Sequence, residues 1–122
     1  MDKCQLIKFK KFTDERGSLI PFEINNNCPF DIKRTFVIYG VENENTERAN
    51  HVNTETNQVL IALAGTVTID INENGNTTTY VLNNIEEGLY TKSGVHKRLY
   101  KFSKNAVILS LCDNYYNPSE YK

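Results

Sequence analysis

The sequence contains two histidines, His51 and His96, and these are the first candidates for acid–base chemistry. A neutral imidazole with a pKa of about 6.5 can accept and return a proton at physiological pH. His51 lies in the segment from Arg48 to Asn53, where strand alternation would place His51 and Asn53 on one face and Val52 on the other. On the local sequence alone, a hydrogen-bonded structural histidine at the start of a strand is an equally good interpretation.

The segments around these side chains have the two-residue periodicity of β-strands, and no helical period persists for three turns. Asn74-Gly75 predicts a tight hairpin turn, because both residue types tolerate a positive φ. Residues 40–50 are polar and predict a long loop leading into a strand near His51. The predicted strands cover residues 5–12, 18–24, 35–39, 58–64, 66–71, 77–82, 99–102 and 106–111. This pattern is typical of an all-β sandwich or barrel, and the first strand could complete the sheet of a neighbouring copy.

The composition predicts a single globular domain spanning residues 1–122, with 39% hydrophobic and 24% charged residues. Fourteen basic and fifteen acidic residues give a net charge of -1, which argues against a strongly basic nucleic-acid-binding or membrane-surface protein. No apolar run reaches the roughly 18 residues of a membrane span. The three cysteines, Cys4, Cys28 and Cys112, are odd in number and widely spaced. They predict structural thiols in the reducing cytoplasm rather than a disulfide framework.

An ordered set of short motifs covers nearly the whole chain and resembles one enzyme family. It begins with Asp14-Glu15-Arg16-Gly17-Ser18-Leu19 and continues with Arg48-x-x-His51-x-Asn53. The other matching stretches are 29–40, 58–61, 88–90, 99–103, 106–109, 115–116 and 120–121. Together they resemble the nucleoside-diphosphate-sugar 3,4-ketoisomerases, small cupins that act on dTDP-4-keto-6-deoxyglucose.

The resemblance implies a fold, an assembly and a reaction. The fold would be a double-stranded β-helix, also called a cupin jelly roll, and the assembly a homodimer. The substrate would be a dTDP-linked keto sugar whose carbonyl moves from C4 to C3 through an enediol, in deoxy- or amino-sugar synthesis for surface glycans. No redox cofactor is required, since the electrons stay within the sugar.

Three positions depart from the family pattern, which usually reads Arg-Gly-x-His-x-His. The glycine position is Ala49, the second histidine position is Asn53, and His96 stands where an indole is usual. Asparagine can orient a carbonyl group or a water molecule, but it cannot act as a base near pH 7. The resemblance therefore leaves three possibilities open: retained activity with His51 as the imidazole base, a related isomerisation, or nucleotide-sugar binding without catalysis.

The same pattern raises the question of a metal ion, because many cupins bind one with a His-x-His pair and a later histidine. His51 and His96 could meet inside a barrel, with Glu55 or Asn53 as further ligands. Asparagine is a poor ligand for Zn²⁺ or Fe²⁺ compared with imidazole. We therefore predict no metal, and a metal-dependent cupin enzyme is a further alternative.

The resemblance also directs attention to side chains that would bind the substrate. Basic residues recur around the expected mouth as Lys33-Arg34, Arg48 and Lys97-Arg98, and arginine is best suited to bidentate contact with a diphosphate. We predict His51, Tyr39 and Asn53 as catalytic residues, with Tyr39 as the acid or oxyanion donor. We predict Arg48, Arg34, Gln58, His96 and Arg98 as substrate-binding residues.

Overall fold

A computed structural model describes residues 3–121 of the chain. The described residues form eleven β-strands and one short 3₁₀ helix, Pro118–Glu120, with no α-helix among them. The strands are β1 Cys4–Lys8, β2 Phe12–Asp14, β3 Gly17–Leu19, β4 Arg34–Tyr39, β5 Arg48–Val52, β6 Gln58–Ala64, β7 Val67–Glu73, β8 Asn76–Leu82, β9 Glu87–Thr91, β10 His96–Tyr100 and β11 Val107–Cys112. The all-β prediction is confirmed. Within residues 3–121, no helix has the length and apolarity needed to cross a membrane.

Two antiparallel sheets form the body of the molecule. One has the order β1-β9-β6-β11-β4 and the other the order β5-β10-β7-β8. β2 and β3 form a separate two-stranded hairpin. The N-terminal strand is shorter than predicted, because it ends at Lys8. It pairs with β9 of the same chain. The strand predicted for residues 18–24 is wrong beyond Leu19, where the chain leaves the extended ladder before Pro21.

The core lies between the two sheets, and its strands have the predicted burial patterns. In β7, Val67, Ile69 and Ile71 are fully buried while the residues between them are half-buried. The hairpin from β7 to β8 turns at Asn74 and Gly75, which have φ values of 54° and 84°. This is the positive-φ turn that the Asn-Gly pair predicts.

The five-stranded sheet is covered on both of its faces. A second apolar cluster lies on its far side and includes Phe9, Val59 and Leu111, with Phe22 and Phe30 packed against it. β6 is accordingly apolar at successive positions from Val59 to Leu63, as expected of a strand buried on both sides. This sheet forms one wall of the candidate site.

Candidate active site

A cavity of about 130 Å³ lies between the two sheets, at the end where β5 meets β10. Each sheet supplies two strands to its walls, and two further residues come from outside the strands. The lining residues are Phe36 and Ile38 of β4, Arg48, Ala49 and His51 of β5, Gln58 and Leu60 of β6, Lys97 and Leu99 of β10, with Asn53 and Tyr121. The cavity is thus apolar at Phe36, Ile38, Leu60 and Leu99, with a few polar groups converging on it, as in most small-molecule sites.

A β-bulge in β5 determines which side chains reach this cavity. Lys97 lies opposite His51 and Leu99 lies opposite Arg48, so two residues of β5, Ala49 and Asn50, face one residue of β10. Ala49 has a φ of 56°, in the left-handed region. In a regular strand, residues three apart point to opposite faces. The bulge instead allows both Arg48 and His51 to line the cavity.

His51 is half-buried and is held by an aromatic contact. Its ring lies 4.6 Å from that of Tyr121, edge to face at 79°. Burial, and then the neighbouring charge of Lys97, lower the pKa of His51 below its usual value. The imidazole is therefore neutral at pH 7, which is the form that accepts a proton.

Lys97 is the most deeply buried charged group at the site. The residue is 2% exposed and lies directly opposite His51 across the β5–β10 ladder, so the two side chains share a face. Its Nζ donates to Gln58 Oε1 and to Thr91 Oγ1. None of the ion pairs among the described residues includes Lys97. Burial lowers the pKa of Lys97 from 10.5 to about 8.

Asn53 and Gln58 supply two amides with different surroundings. Asn53 is buried beside His51, and its amide acts to raise the pKa of that imidazole against the larger effects of burial and Lys97. Neither Nδ2 nor Oδ1 has a partner at normal hydrogen-bond geometry in the part of the chain that the structure describes. Gln58 Nε2 donates to Ser110 Oγ at 3.3 Å, which directs Gln58 Oε1 toward Lys97. Asn53 thus has both a donor and an acceptor available for a ligand, whereas Gln58 mainly positions Lys97.

The C-terminal segment places Tyr121 over the cavity. The Glu120 carboxylate, itself buried, accepts hydrogen bonds from Thr56 Oγ1 and from the backbone N–H groups of Glu55 and Thr56. Arg34 donates to Tyr121 Oη at 3.4 Å, so Arg34 reaches the site through Tyr121 rather than by lining the cavity. Sequence reasoning missed Tyr121 as a site residue, although Glu120-Tyr121 belongs to the matching stretches.

His96 and Arg98 lie outside the cavity, which corrects their predicted positions. Lys97 and Leu99 are buried on the inner face of β10, so the alternation places His96 and Arg98 on the outer face. There Arg98 donates to Glu47 Oε1 at 2.5 Å and to Asp70 Oδ2 at 2.8 Å. Of the Lys97-Arg98 pair, the residue predicted to bind substrate is the one that faces outward.

Tyr39 also lies away from the cavity. Its neighbours Phe36 and Ile38 face the site, and Tyr39 points the other way with 73% of its surface exposed. β4 is an edge strand, so within the described residues no further strand pairs with its outer side. The proposed acid or oxyanion donor is therefore not among the groups that the structure brings together.

The histidines also bear on the metal alternative. His51 lies opposite Lys97 on the inner face, whereas His96 lies opposite Val52 with its side chain on the outer face. Residues 3–121 contain no cluster of three or more His, Cys, Asp or Glu side chains that could hold a metal ion. The two histidines thus cannot converge on one ion as that alternative required.

The fold and the cavity define a small cupin, with a site formed between its two sheets. The chain belongs to the family described as FdtA: WxcM-like, C-terminal, whose model matches residues 2–122. The resemblance recognised in the sequence is thereby confirmed.

Relatives of known activity agree with this assignment. The chain is 32% identical over 117 residues to a TDP-4-oxo-6-deoxy-alpha-D-glucose-3,4-oxoisomerase of Aneurinibacillus thermoaerophilus, covering 96% of this chain and 84% of the relative. Among solved structures, it is similar to a mutant of the 3,4-ketoisomerase QdtA from Thermoanaerobacterium thermosaccharolyticum in complex with TDP-4-keto-6-deoxyglucose. That match has 33% identity and a TM-score of 0.94, covering 100% of this chain and 88% of that one. The TDP-fucose-3,4-ketoisomerase WlaRA from Campylobacter jejuni is 34% identical with a TM-score of 0.93, covering 98% and 87%.

Proposed function

We propose that this chain is a 3,4-ketoisomerase that moves the carbonyl of TDP-4-keto-6-deoxyglucose from C4 to C3. The observation that carries the proposal is the cavity itself, where a neutral His51 lies beside Arg48 and the unpartnered amide of Asn53. This set supplies a base, a cation for a diphosphate and a hydrogen-bonding group for a sugar. Its setting is a chain related over nearly its full length to enzymes of this activity.

The reaction can be written with the side chains of the cavity. His51 removes the proton from C3, which gives an enediol, and then returns a proton to C4. C3 is oxidised as C4 is reduced, so the electrons balance within the sugar. Arg48 suits bidentate contact with the diphosphate, and Asn53 can donate to one sugar oxygen while accepting from another.

Hydrogen exchange provides the direct test. The protein is incubated with TDP-4-keto-6-deoxyglucose in deuterated water, and the C3 and C4 hydrogens are followed by NMR. We expect loss of the C3 proton signal and appearance of the 3-keto isomer, because an enediol exposes the carbon-bound proton to exchange with solvent. Substrate left with its C3 hydrogen intact after prolonged incubation would contradict isomerisation.

Asn53 favours a second candidate, a cupin that binds the nucleotide sugar without converting it. An amide cannot replace a second imidazole as a base. On this alternative, calorimetry would detect binding of TDP while the exchange experiment shows no change at C3. The two measurements on one preparation therefore distinguish the candidates.

We also propose that the enzyme is a homodimer in which the β2–β3 hairpin is covered by the second copy. Phe12 and Leu19 lie opposite each other on this hairpin and are 49% and 62% exposed. An isolated two-stranded hairpin is marginally stable in water, so a partner surface would stabilise it. Light scattering at micromolar concentration should give twice the chain mass. A monomer for the wild type, or an unchanged dimer in a Phe12→Ser/Leu19→Ser variant, would contradict this arrangement.

The compartment and pathway are part of the same proposal. Cys4, Cys28 and Cys112 are buried free thiols, which suits the reducing cytoplasm. We place the reaction there, in the synthesis of deoxy or amino sugars for surface glycans. Thiol titration of the protein purified without reductant should find three free cysteines per chain only after unfolding.

A further inference from the structure

The reaction requires two proton transfers, and His51 accounts for one of them. The hydrogen on C3 moves to C4, and the proton on the C3 hydroxyl moves to the C4 oxygen. A single imidazole that carries the carbon-bound proton is occupied while the oxygen proton moves. The family's usual second histidine is Asn53 here, and an amide does not titrate in this range. A second proton carrier must therefore come from another side chain or from solvent.

We propose that Lys97 is a further catalytic residue, which carries the proton between the two sugar oxygens while His51 carries the proton between the two carbons. This inference rests on the proposed function. It is based on the position of Lys97 opposite His51, on its presence in the cavity wall and on its lack of a carboxylate partner among residues 3–121.

The hydrogen bonds of Lys97 leave it able to reach a substrate. An ammonium group has three hydrogens, and Gln58 and Thr91 accept two of them. Because Lys97 lines the cavity, its third hydrogen can be donated to a sugar oxygen bound there. Gln58 is in turn held by Ser110, so the nitrogen is fixed by neutral groups that do not lock it in its charged state.

The proton balance closes over one turnover. As neutral His51 takes the C3 hydrogen, the Lys97 ammonium gives a proton to the C4 oxygen, and the enediol forms. The Lys97 amine then takes the proton from the C3 hydroxyl as protonated His51 delivers a proton to C4. Both residues return to their starting states, and no external oxidant or reductant is consumed.

A covalent role for Lys97 does not balance in the same way. If its nitrogen formed an imine at C4, transfer of the C3 hydrogen to C4 would leave the nitrogen bound to C4 as a secondary amine. Water cannot cleave that bond to regenerate the lysine. Proton transfer is thus the role that allows turnover.

The surroundings of Lys97 support easy loss and recovery of its proton. Burial lowers its pKa to about 8, so that both protonation states are accessible near neutral pH. Charged and titratable groups approach it from every side. Cys112 on β11, Cys4 on β1 and Glu120 in the C-terminal segment act on its pKa, and His51 lies opposite it on β5. Arg48 and Tyr121 line the same cavity.

The test compares three variants with the wild type. Lys97→Met keeps an unbranched side chain but has no proton to transfer. Lys97→Arg keeps the positive charge but does not release a proton below about pH 12. Arg98→Met is the matched control, because it removes a cation from the outer face of the same strand. Circular dichroism and TDP calorimetry would check that each variant is folded and binds nucleotide.

We expect Lys97→Met and Lys97→Arg to lower kcat by about 10²–10⁴-fold and Arg98→Met to change it less than threefold. In the wild type, kcat should fall above about pH 8, and any residual activity of Lys97→Arg should lack this limb. A signal from the Lys97 ε-methylene, followed by NMR, should titrate over the same range. Wild-type turnover in either Lys97 variant would overturn the inference and leave the proposed function standing. Substrate that keeps its C3 hydrogen and gives no 3-keto isomer with the wild type would overturn both.

Discussion

The two faces of β10 carry adjacent basic residues in opposite electrostatic situations. On the outer face, Arg98 is paired with both Glu47 and Asp70, and its guanidinium stacks on Tyr100 at 3.9 Å from the ring centre. On the inner face, Lys97 is bonded only to neutral oxygens. Two neighbours in sequence thus differ in whether their charge is already balanced by the protein.

This difference distinguishes charged side chains that join strands from charged side chains that are available to a ligand. A cation that already has two carboxylate partners has little left to offer a ligand and mainly joins strands. A buried cation without such a partner is destabilising unless something else compensates it. Charge in a bound anionic substrate, or loss of the proton, provides that compensation. The inner face therefore has the unsatisfied groups that chemistry requires, while the outer face is saturated.

The two histidines allow the sharpest test of this contrast. His51→Asn should lower kcat by about 10²–10⁴-fold, because it removes the base from the inner face. His96→Asn should leave kcat within about threefold, since His96 lies on the outer face. Initial rates with TDP-4-keto-6-deoxyglucose would measure both. Binding of TDP should persist in both variants.

A reversal of this pair would be decisive. If His51→Asn kept wild-type turnover while His96→Asn lost it, the assignment of the two faces would be wrong. Asn53→His is a useful companion, because it restores the family's usual second imidazole. Increased turnover would indicate that Asn53 is a lost base, whereas decreased turnover would indicate that its amide orients the substrate.

The two arginines sharpen the comparison for binding. Arg48→Ala should weaken the affinity for TDP about ten- to a hundredfold, because a charge-assisted contact contributes roughly 1.5–3 kcal/mol. Arg98→Ala should have little effect on affinity, since its partners are Glu47 and Asp70. Titration calorimetry at one ionic strength would compare them. Equal losses in the two variants would indicate a general electrostatic effect rather than a contact by Arg48.

The strands that follow simple periodicity could be predicted from the sequence, and the residues displaced by irregular features could not. The alternation of Val67, Ile69 and Ile71 and the Asn74-Gly75 turn are local patterns, and the structure contains both. The role of Arg48 depends on a bulge at Ala49, which non-local pairing with β10 stabilises. Alternation alone would have put Arg48 and His51 on opposite faces.

The register of β10 shows the same limit at the site. An error of one residue in the register of β10 would place His96 and Arg98 on the inner face instead of Lys97, because a slip of one position moves every side chain to the other face. Tyr121 reaches His51 from seventy positions away through the contacts of Glu120, which no local pattern encodes. The hydroxyl group of Tyr39 makes it a catalytic candidate in the sequence, but the register of β4 turns that group outward.

The carboxylates of Glu120 and Asp70 allow the same comparison for the free energy of unfolding. Burial alone would raise the pKa of Glu120, but hydrogen bonds from Thr56 and the backbone of Glu55 outweigh it and lower that pKa. A group with a lowered pKa stabilises the fold above its unfolded pKa, and this stability is lost as the pH falls through the folded value. Glu120→Gln should therefore lower the free energy of unfolding by about 1–3 kcal/mol at pH 7, because its amide N–H₂ cannot accept from these donors.

The pH dependence of the Glu120→Gln effect separates the contribution of the carboxylate charge from that of packing. The difference between Glu120→Gln and the wild type should shrink as the pH falls below the unfolded pKa of glutamate, about 4.3, and then through the lower pKa of folded Glu120. Asp70→Asn, at the half-exposed outer pair, should lower stability by less than about 1 kcal/mol. Urea unfolding at pH 7 and at several values below about pH 4 would measure each difference. A pH-independent loss in Glu120→Gln would mean that packing, not the charge, holds the C-terminal segment.

The smallest expected effect concerns the bulge that brings Arg48 and His51 to the same face. Ala49 has a φ of 56°, which is unfavourable by about 1–2 kcal/mol for a residue with a Cβ and readily adopted by glycine. Ala49→Gly removes this strain but also increases the entropy of the unfolded chain by a similar amount, so stability should change by 0 to about +1 kcal/mol. Ala62→Gly, in the regular part of β6, has no such strain to relieve and should lose about 1 kcal/mol or more. If denaturant unfolding gave equal losses at both positions, the left-handed conformation of Ala49 would not be what the bulge requires, and another feature of β5 would have to set the face of Arg48.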